Sequence, residues 1–252
     1  MGLFDNTEKA IDHVVTCMQK ARKDESNLNA DLSVAKNILA MFGMSGKKWR
    51  HFLNNLLSIE DVNYLEIGAH SGSTFCSALY GNEKIGFFQT IDNWSQFGNK
   101  KEELEQNVKY TLLESKIDPS KVKITESDFY KFDYSTLPKI DIYLFDGPHK
   151  EHFQYDGVKI VFDQLSDIFI LLVDDWNWGG PKRGTSAVLQ DLNVNVIRQW
   201  EIYTDPEGYY LTVFKIQTGT TVLLSSCVKK LTLSKNSCYD CILIATCRFT
   251  YL

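Results

Sequence analysis

The first fifteen residues, MGLFDNTEKAIDHVV, lack any long apolar core, so neither a secretory signal nor a membrane span is expected there. A dense Lys/Arg stripe interleaved with aromatics is also missing, and with 27 basic against 32 acidic residues the formal charge is -5. Nucleic acid is therefore a poor partner. Gly2 is followed by Asn6 where N-myristoylation needs Ser or Thr. Cysteine is scarce over most of the chain, since four of the six fall after residue 216. These absences point to a cytoplasmic protein. A chain of 252 residues is long enough for one α/β domain with additions.

The chain is organised around residues 62–73, VNYLEIGAHSGS. An apolar run (Val62, Tyr64, Leu65, Ile67) leads into two glycines, and a helix-compatible stretch, TFCSALYG, follows. This reads as a buried strand, a tight turn and a helix start. Gly68 and Gly72 let the backbone take φ > 0 and approach a ligand without a Cβ in the way. The first free helical N–H groups, near Ser73 or Thr74, favour polar or anionic groups. Glu66, just ahead of the first glycine, would repel a pyrophosphate but suits a ligand's amino group. The spacing is Gly-x-x-x-Gly, which is not the Gly-x-Gly-x-x-Gly of dinucleotide-binding turns. After the next apolar run, 85–91, comes Asp92, about two dozen residues beyond the turn; in a βαβ unit that separation brings a carboxylate to the neighbouring strand end, where it accepts ribose hydroxyls.

Residues 5–57 read as helices, from the helical spacing of Ile11, Val14, Val15 and Met18, of Val34, Ile38, Leu39 and Phe42, and of Trp49, Phe52, Leu53, Leu56 and Leu57. Two readings of them stay open: a cap packed on the core, or a lid or dimer surface that makes the chain a homo-oligomer. From residue 62 strands and helices alternate. Strands are expected at 62–67, 85–91, 121–126, 140–145, 168–173, 196–203 and 209–216, with helices at 73–80, 100–116, 150–165 and 183–192. Only TDPEGY separates the last two strands, too short for a crossover helix, so strand seven runs antiparallel to strand six. The expected fold is α/β, a seven-stranded Rossmann-like sheet that is parallel except for strand seven, with an N-terminal helical cap. Three regions follow: the cap at 1–58, a cofactor-binding domain at 59–216 and a Cys-rich tail at 217–252.

A second concentration of chemistry lies further on. Asp146 ends strand four within DIYLFDGPHKEHF, and Asp174 and Asp175 end strand five within FILLVDDWNW. Neighbouring strands would bring three carboxylates to one rim, a self-repelling arrangement that is costly to desolvate. A divalent cation relieves it, and oxygen-only ligands suit Mg²⁺, with Mn²⁺ or Ca²⁺ as substitutes. Without a metal, Asp146 would contact cofactor or substrate directly, and one of Asp174 and Asp175 would cap the following turn.

Residues 60–216 resemble the class I S-adenosylmethionine-dependent methyltransferases. The likeness rests on Glu66-Ile-Gly-Ala-His-Ser-Gly72, on Asp92 after strand two, on Ser127-Asp128-Phe129 after strand three and on Asp146 after strand four. It implies S-adenosyl-L-methionine as cofactor, its methionine part at Glu66, Gly68, Gly72 and Ser73, its ribose at Asp92 and its adenine at Asp128 and Phe129, with Trp94 over one face of the adenine. The acids after strands four and five further resemble those of the metal-dependent O-methyltransferases, above all the macrocin-type sugar enzymes and, more distantly, catechol O-methyltransferase. That likeness implies Mg²⁺ on Asp146, Asp174 and Asp175, a small hydroxylated acceptor such as a sugar or phenol on the ion, and a base three residues beyond the strand-four acid. The base is then His149. Catechol enzymes carry lysine at that place, whereas Lys150 here is one position off, and His152 is the rival one turn along. Trp176 and Trp178 either line an acceptor pocket or pack in the core. Lys182 and Arg183 are surface charges or acceptor contacts, and His70 is structural or solvent-facing.

In the tail, Cys238 and Cys241 form a C-x-x-C with Cys227 and Cys247 as candidate partners, but the outer spacings match no zinc pattern. A reduced or partly disordered appendage is expected, beyond a core that is complete without it. Two other functions stand beside methyl transfer. One is a nicotinamide-dependent oxidoreductase, against which the missing third glycine and the strand-five acids argue. The other is a non-catalytic cofactor-binding protein with the same fold.

Overall fold

The computed structural model describes residues 6–29, 32–204, 211–218 and 240–248. Three helices come first, α1 (Thr7–Arg22), α2 (Leu32–Ala40) and α3 (Lys47–Leu56). Asn6 caps α1, its side chain accepting from the amides of Glu8 at 2.9 Å and Lys9 at 3.1 Å. The alternation then runs β1 (Asn63–Ile67), α4 (Ser73–Leu79), β2 (Phe87–Asp92), α5 (Lys101–Ser115), β3 (Val122–Glu126), β4 (Ile140–Phe145), α6 (Glu151–Lys159), β5 (Leu165–Val173), α7 (Gly179–Asp191), β6 (Asn195–Thr204), β7 (Leu211–Thr218) and β8 (Asp240–Arg248). All the strands join one sheet in the order β3-β2-β1-β4-β5-β8-β6-β7.

The seven expected strands all form, and β7 runs antiparallel to β6. Helix α6 ends at Lys159, short of the expected 165, because the chain passes through a 3₁₀ turn at Phe162–Gln164 into a longer β5. Lys139 Nζ holds that junction, donating to the carbonyls of Asp163 at 2.8 Å and Leu165 at 3.2 Å. Helix α7 starts earlier than expected, with Pro181 in its first turn, where a missing N–H goes unused anyway.

The tail departs from expectation. Asp240–Arg248 is no appendage: it is an eighth strand, inserted between β5 and β6 and parallel to both. Its residues Ile242, Leu243 and Ile244 are buried. An unbroken apolar run is what a strand covered on both faces requires, and Ile242–Ile244 supply it within a segment otherwise rich in Thr, Ser and Cys. The β6–β7 hairpin consequently sits at the sheet's end, separated from β5 by β8. Cys227 and Cys238 lie outside the described residues, whereas Cys241, the second residue of the C-x-x-C, and Cys247 belong to β8.

Alternation along the strands divides the core in two. Tyr64, Phe88, Ile142, Leu144, Ile170 and Leu172 face a layer containing α1, α3, α4 and α5. Leu65, Ile91, Tyr143, Phe145, Leu171 and Val173 face α6 and α7. Val14, Cys17 and Met18 of α1 and Phe52, Leu53 and Leu56 of α3 lie inside the first of these clusters. The apolar stripes of α1 and α3 are therefore packed on the core. Among the described residues no helix is long and apolar enough to cross a membrane.

Ile244→Ala is expected to cost roughly 2–5 kcal/mol, the usual penalty for hollowing a packed core. Urea denaturation reads it as a lowered midpoint; an unchanged midpoint would mean that β8 is not part of the cooperative core.

Candidate functional site

The sheet is built outward in two directions from its middle: β1, β2 and β3 to one side, β4 and β5 to the other. Between β1 and β4 the loops diverge and leave a crevice outside the strands' carboxyl ends. That crevice is a cavity of about 540 Å³, running from Gly68 and Asp92 past Asp128 and Phe129 to Asp146, His149 and Trp178. The volume falls within the roughly 300–1,000 Å³ of small-molecule and cofactor sites.

Backbone hydrogen bonds draw the strand ends together. Asp146 N donates to Ile67 O at 3.0 Å, and Gly68 N donates to Ile91 O at 3.0 Å. Gly68 has φ 94, and a Cβ there would strike the Asp146 carbonyl oxygen. Glycine is thus required both for the turn and for the contact.

Asp92 closes the glycine loop. Its Oδ2 accepts from His70 N and its Oδ1 from Trp94 N, both at 2.8 Å. A carboxylate has about four lone-pair sites, so two stay available to a ligand in the cavity. Trp94 Nε1 donates to His70 O at 2.8 Å, and the indole is buried in the core. It does not line the cavity, so the expected cover for an adenine is instead a brace for the loop: the buried indole N–H needs a partner and finds it in that carbonyl.

Glu66 also lies away from the cavity lining. It belongs to β1 itself and is wholly buried, with Tyr64 Oη donating to Oε2 at 2.8 Å and Thr74 Oγ1 donating to Oε1. Burial pushes its carboxyl up from the ordinary 4.5 to about 7, against the pull of the two hydroxyl donors. Ser73 is buried beside Ser45, the two hydroxyls 3.2 Å apart, and Gly72 turns against Leu104. Of the four positions expected to meet a methionine group, Gly68 faces the cavity and the other three support it from behind.

The segment joining α2 to α3 adds a wall that the sequence did not announce. Ser71 Oγ donates to Phe42 O, and Met44 lines the cavity. Arg50 is buried and steadies this segment, donating to Ser45 Oγ at 3.0 Å and to the carbonyls of Leu39 at 3.2 Å and Met41 at 3.0 Å. Burial lowers its guanidinium pKa to about 10. No motif marks Met44; its place depends on how the helical layer packs.

On the β3 side, Asp128 Oδ1 accepts from Tyr130 N at 2.9 Å and fixes the turn. Phe129 lines the cavity within a cluster of rings, 4.2 Å from Tyr130 and 5.4 Å from Phe145 between centroids.

At the far end, His149 Nε2 lies 3.5 Å from Asp175 Oδ2 and 4.0 Å from Asp146 Oδ1. This buried nitrogen has no hydrogen-bond partner, and the ring meets Trp178 edge-on at 5.0 Å. Ligand atoms of Asp146, His149 and Asp174 all lie within 4.8 Å of one another. Such a set fits a divalent cation. Its two carboxylates are oxygen donors of the kind expected from sequence, which suit Mg²⁺ or Mn²⁺, and the imidazole stands beside them, its Nε2 4.0 Å from Asp146 Oδ1. Asp175, expected among the ligands, is outside that group and faces His149. His152 is exposed, its ring beside Phe153 and off the cavity. Trp176 is core, donating to Glu201 Oε1 at 3.1 Å, while Trp178 lines the cavity. Lys182 pairs with Glu201 at 3.6 Å and Arg183 with Glu151 at 2.6 Å.

No protein-family model matches the chain, and no curated protein matches it either. Among solved structures, an rRNA methylase from Streptococcus thermophilus is similar over 46% of this chain and 63% of its own, with 13% identity and a TM-score of 0.33. The chain thus spans less than two thirds of that structure's length. A likeness of this extent decides nothing about what the protein does.

The buried carboxyl of Glu66 has a measurable consequence. The folded protein holds a proton that the unfolded chain releases above about pH 4.5, so stability falls as pH rises from there to about 7 and then levels off. Glu66→Gln is expected to remove that slope and to be more stable than the parent by roughly 3 kcal/mol at pH 8, with no difference at pH 4. Denaturation midpoints across this range test it; a difference that does not vary with pH would mean that the side chain stays ionised.

Proposed function

We propose that the protein is an S-adenosylmethionine-dependent methyltransferase that methylates a hydroxyl of a small acceptor with the help of a divalent cation. The observation that carries this reading is a single cavity joining a glycine turn, Asp92 and Asp128–Phe129 at one end to Asp146 and His149 at the other, two members of a cluster whose third, Asp174, is buried off the lining.

Asp92 offers its remaining lone pairs to ribose hydroxyls while its backbone bonds keep the loop closed. Phe129 and Asp128 receive the adenine, and the Gly68 backbone meets the methionine end. When bound, S-adenosylmethionine supplies an electrophilic methyl group on a cationic sulfur. Asp92, Asp128, Asp146 and Asp175 line the cavity, and their charge favours a cationic donor. Asp146 and Asp174 would hold a divalent cation, and that ion would make a nearby hydroxyl easier to deprotonate. His149 Nε2 takes the hydroxyl proton, and Asp175 Oδ2 stabilises the imidazolium that results. The acceptor oxygen, freed of its proton, is the nucleophile: an O–C bond forms as the C–S bond breaks. The Trp178 ring, edge-on to the imidazole at 5.0 Å, limits how far it can turn.

Asp146→Asn is expected to abolish both methyl transfer and Mn²⁺ binding followed by electron paramagnetic resonance, with calorimetric affinity for S-adenosylmethionine largely retained. Unaltered Mn²⁺ binding would remove Asp146 from the metal site. His149→Ala should lower turnover by about 10²- to 10⁴-fold at neutral pH. Turnover should recover in part at high pH, where the hydroxyl ionises unaided; a uniform loss across pH would move the base elsewhere. Tight donor binding with no transfer to any acceptor would favour a cofactor-binding protein, and no donor binding at all would end the reading.

A further inference from the structure

Six large apolar side chains are exposed among the described residues. Four of them, Met44, Phe97, Tyr130 and Trp178, line the cavity, and a fifth, Phe42, has its ring 6.0 Å from that of the lining residue His70. They come from four separate stretches: the α2–α3 connection, the loop after β2, the turn after β3 and the approach to α7. Single exposed apolar residues need no explanation, but their convergence on one mouth marks a binding surface.

The charge around that mouth is one-sided. Among the described residues, four carboxylates line the cavity and no Lys or Arg does. Lys131 and Lys150, next to Tyr130 and His149, do not line it either, and three cations on adjoining segments are paired with acids. Lys100 pairs with Glu103 at 2.8 Å and lies over the Phe42 ring, Lys182 pairs with Glu201, and Arg183 with Glu151. A phosphate or carboxylate entering here would meet four carboxylates and, apart from a bound metal ion, no cation of the lining. A nucleic-acid strand would fare no better, since its affinity comes mainly from cations on phosphates. Beside His149 stand Pro148 and Trp178, apolar faces that suit a flat ring, with the Trp178 ring 5.0 Å from the imidazole.

We propose that the acceptor is an aromatic hydroxyl compound carrying no anionic group, seated against Met44 and Trp178 with its hydroxyl towards His149. The proposal rests on the methyl-transfer reading, and its test is a binding measurement that needs no transfer. Three probes separate the terms: 2-naphthol, the same ring system with a carboxylate (6-hydroxy-2-naphthoate), and methyl glucoside, each titrated into the full chain with Mg²⁺ present. 2-Naphthol should bind at least about tenfold more tightly than either of the others. Trp178→Ala should weaken 2-naphthol by about three- to tenfold, the usual worth of one aromatic contact. Phe97→Arg, at an exposed position on the rim, should selectively improve the naphthoate. Equal or tighter binding of the naphthoate or the glucoside, or no binding of 2-naphthol, would overturn the proposal. S-Adenosylmethionine affinity, measured separately, keeps the two readings apart. If 2-naphthol binds with this preference but the donor does not bind, methyl transfer fails and the character of the site stands. If the donor binds and the preference is absent, the acceptor assignment alone fails.

Discussion

The absence of a side chain at Gly68 sets how close the carboxyl ends of β1 and β4 can come. Any Cβ there would collide with the Asp146 carbonyl, the loop would lift away, and the two halves of the cavity would part. One close backbone contact thereby places the glycine turn beside the residue that opens the acidic cluster. Asp146 N on Ile67 O and Gly68 N on Ile91 O hold three strand ends in that register. The helical layers on either face then supply the walls: α2–α3 brings Met44 from one side, and the approach to α7 brings Trp178 from the other.

Charge is distributed along this edge by burial. Glu66, deepest, is shielded from water and keeps its proton to about pH 7, with Tyr64 and Thr74 as its partners. It supports the turn and makes no direct contact with the cavity. Asp92 is half engaged, tying down the loop while still facing the cavity. Asp146, Asp174 and Asp175 stand close around one imidazole, and like charges held so near one another favour a neighbouring cation. The gradient from a neutral interior acid to a charged rim is what a cationic donor and a divalent ion would complete.

Much of this architecture was legible in the residues. The strand-turn-helix at 62–73, the alternation that follows and the convergence of Asp92, Asp146 and the 174–175 pair all derive from local periodicity joined to one rule about parallel sheets. What escaped was non-local. Trp94 carries the same residue type whether it stacks on a ligand or donates to His70 O, and only the loop's closure decides between them. Glu66 lies inside β1, as the expected strand 62–67 placed it, but its side chain turns to Tyr64 and Thr74 rather than to the cavity, a direction set by packing across the sheet. β8 was hidden because a parallel strand far along the chain pairs with β5 and β6 through contacts that leave no mark between residues 173 and 240. Asp174 and Asp175 look equivalent in sequence, yet one joins the cluster of ligand atoms and the other backs the imidazole.

The account stands on donor and cation sharing one space. Paramagnetic relaxation of the methyl protons of bound S-adenosylmethionine by Mn²⁺ measures that directly, because the effect decays steeply with distance. Strongly enhanced relaxation, lost in the presence of excess Mg²⁺, is the predicted result. Both ligands bound with methyl relaxation untouched would place them in separate sites and contradict the account.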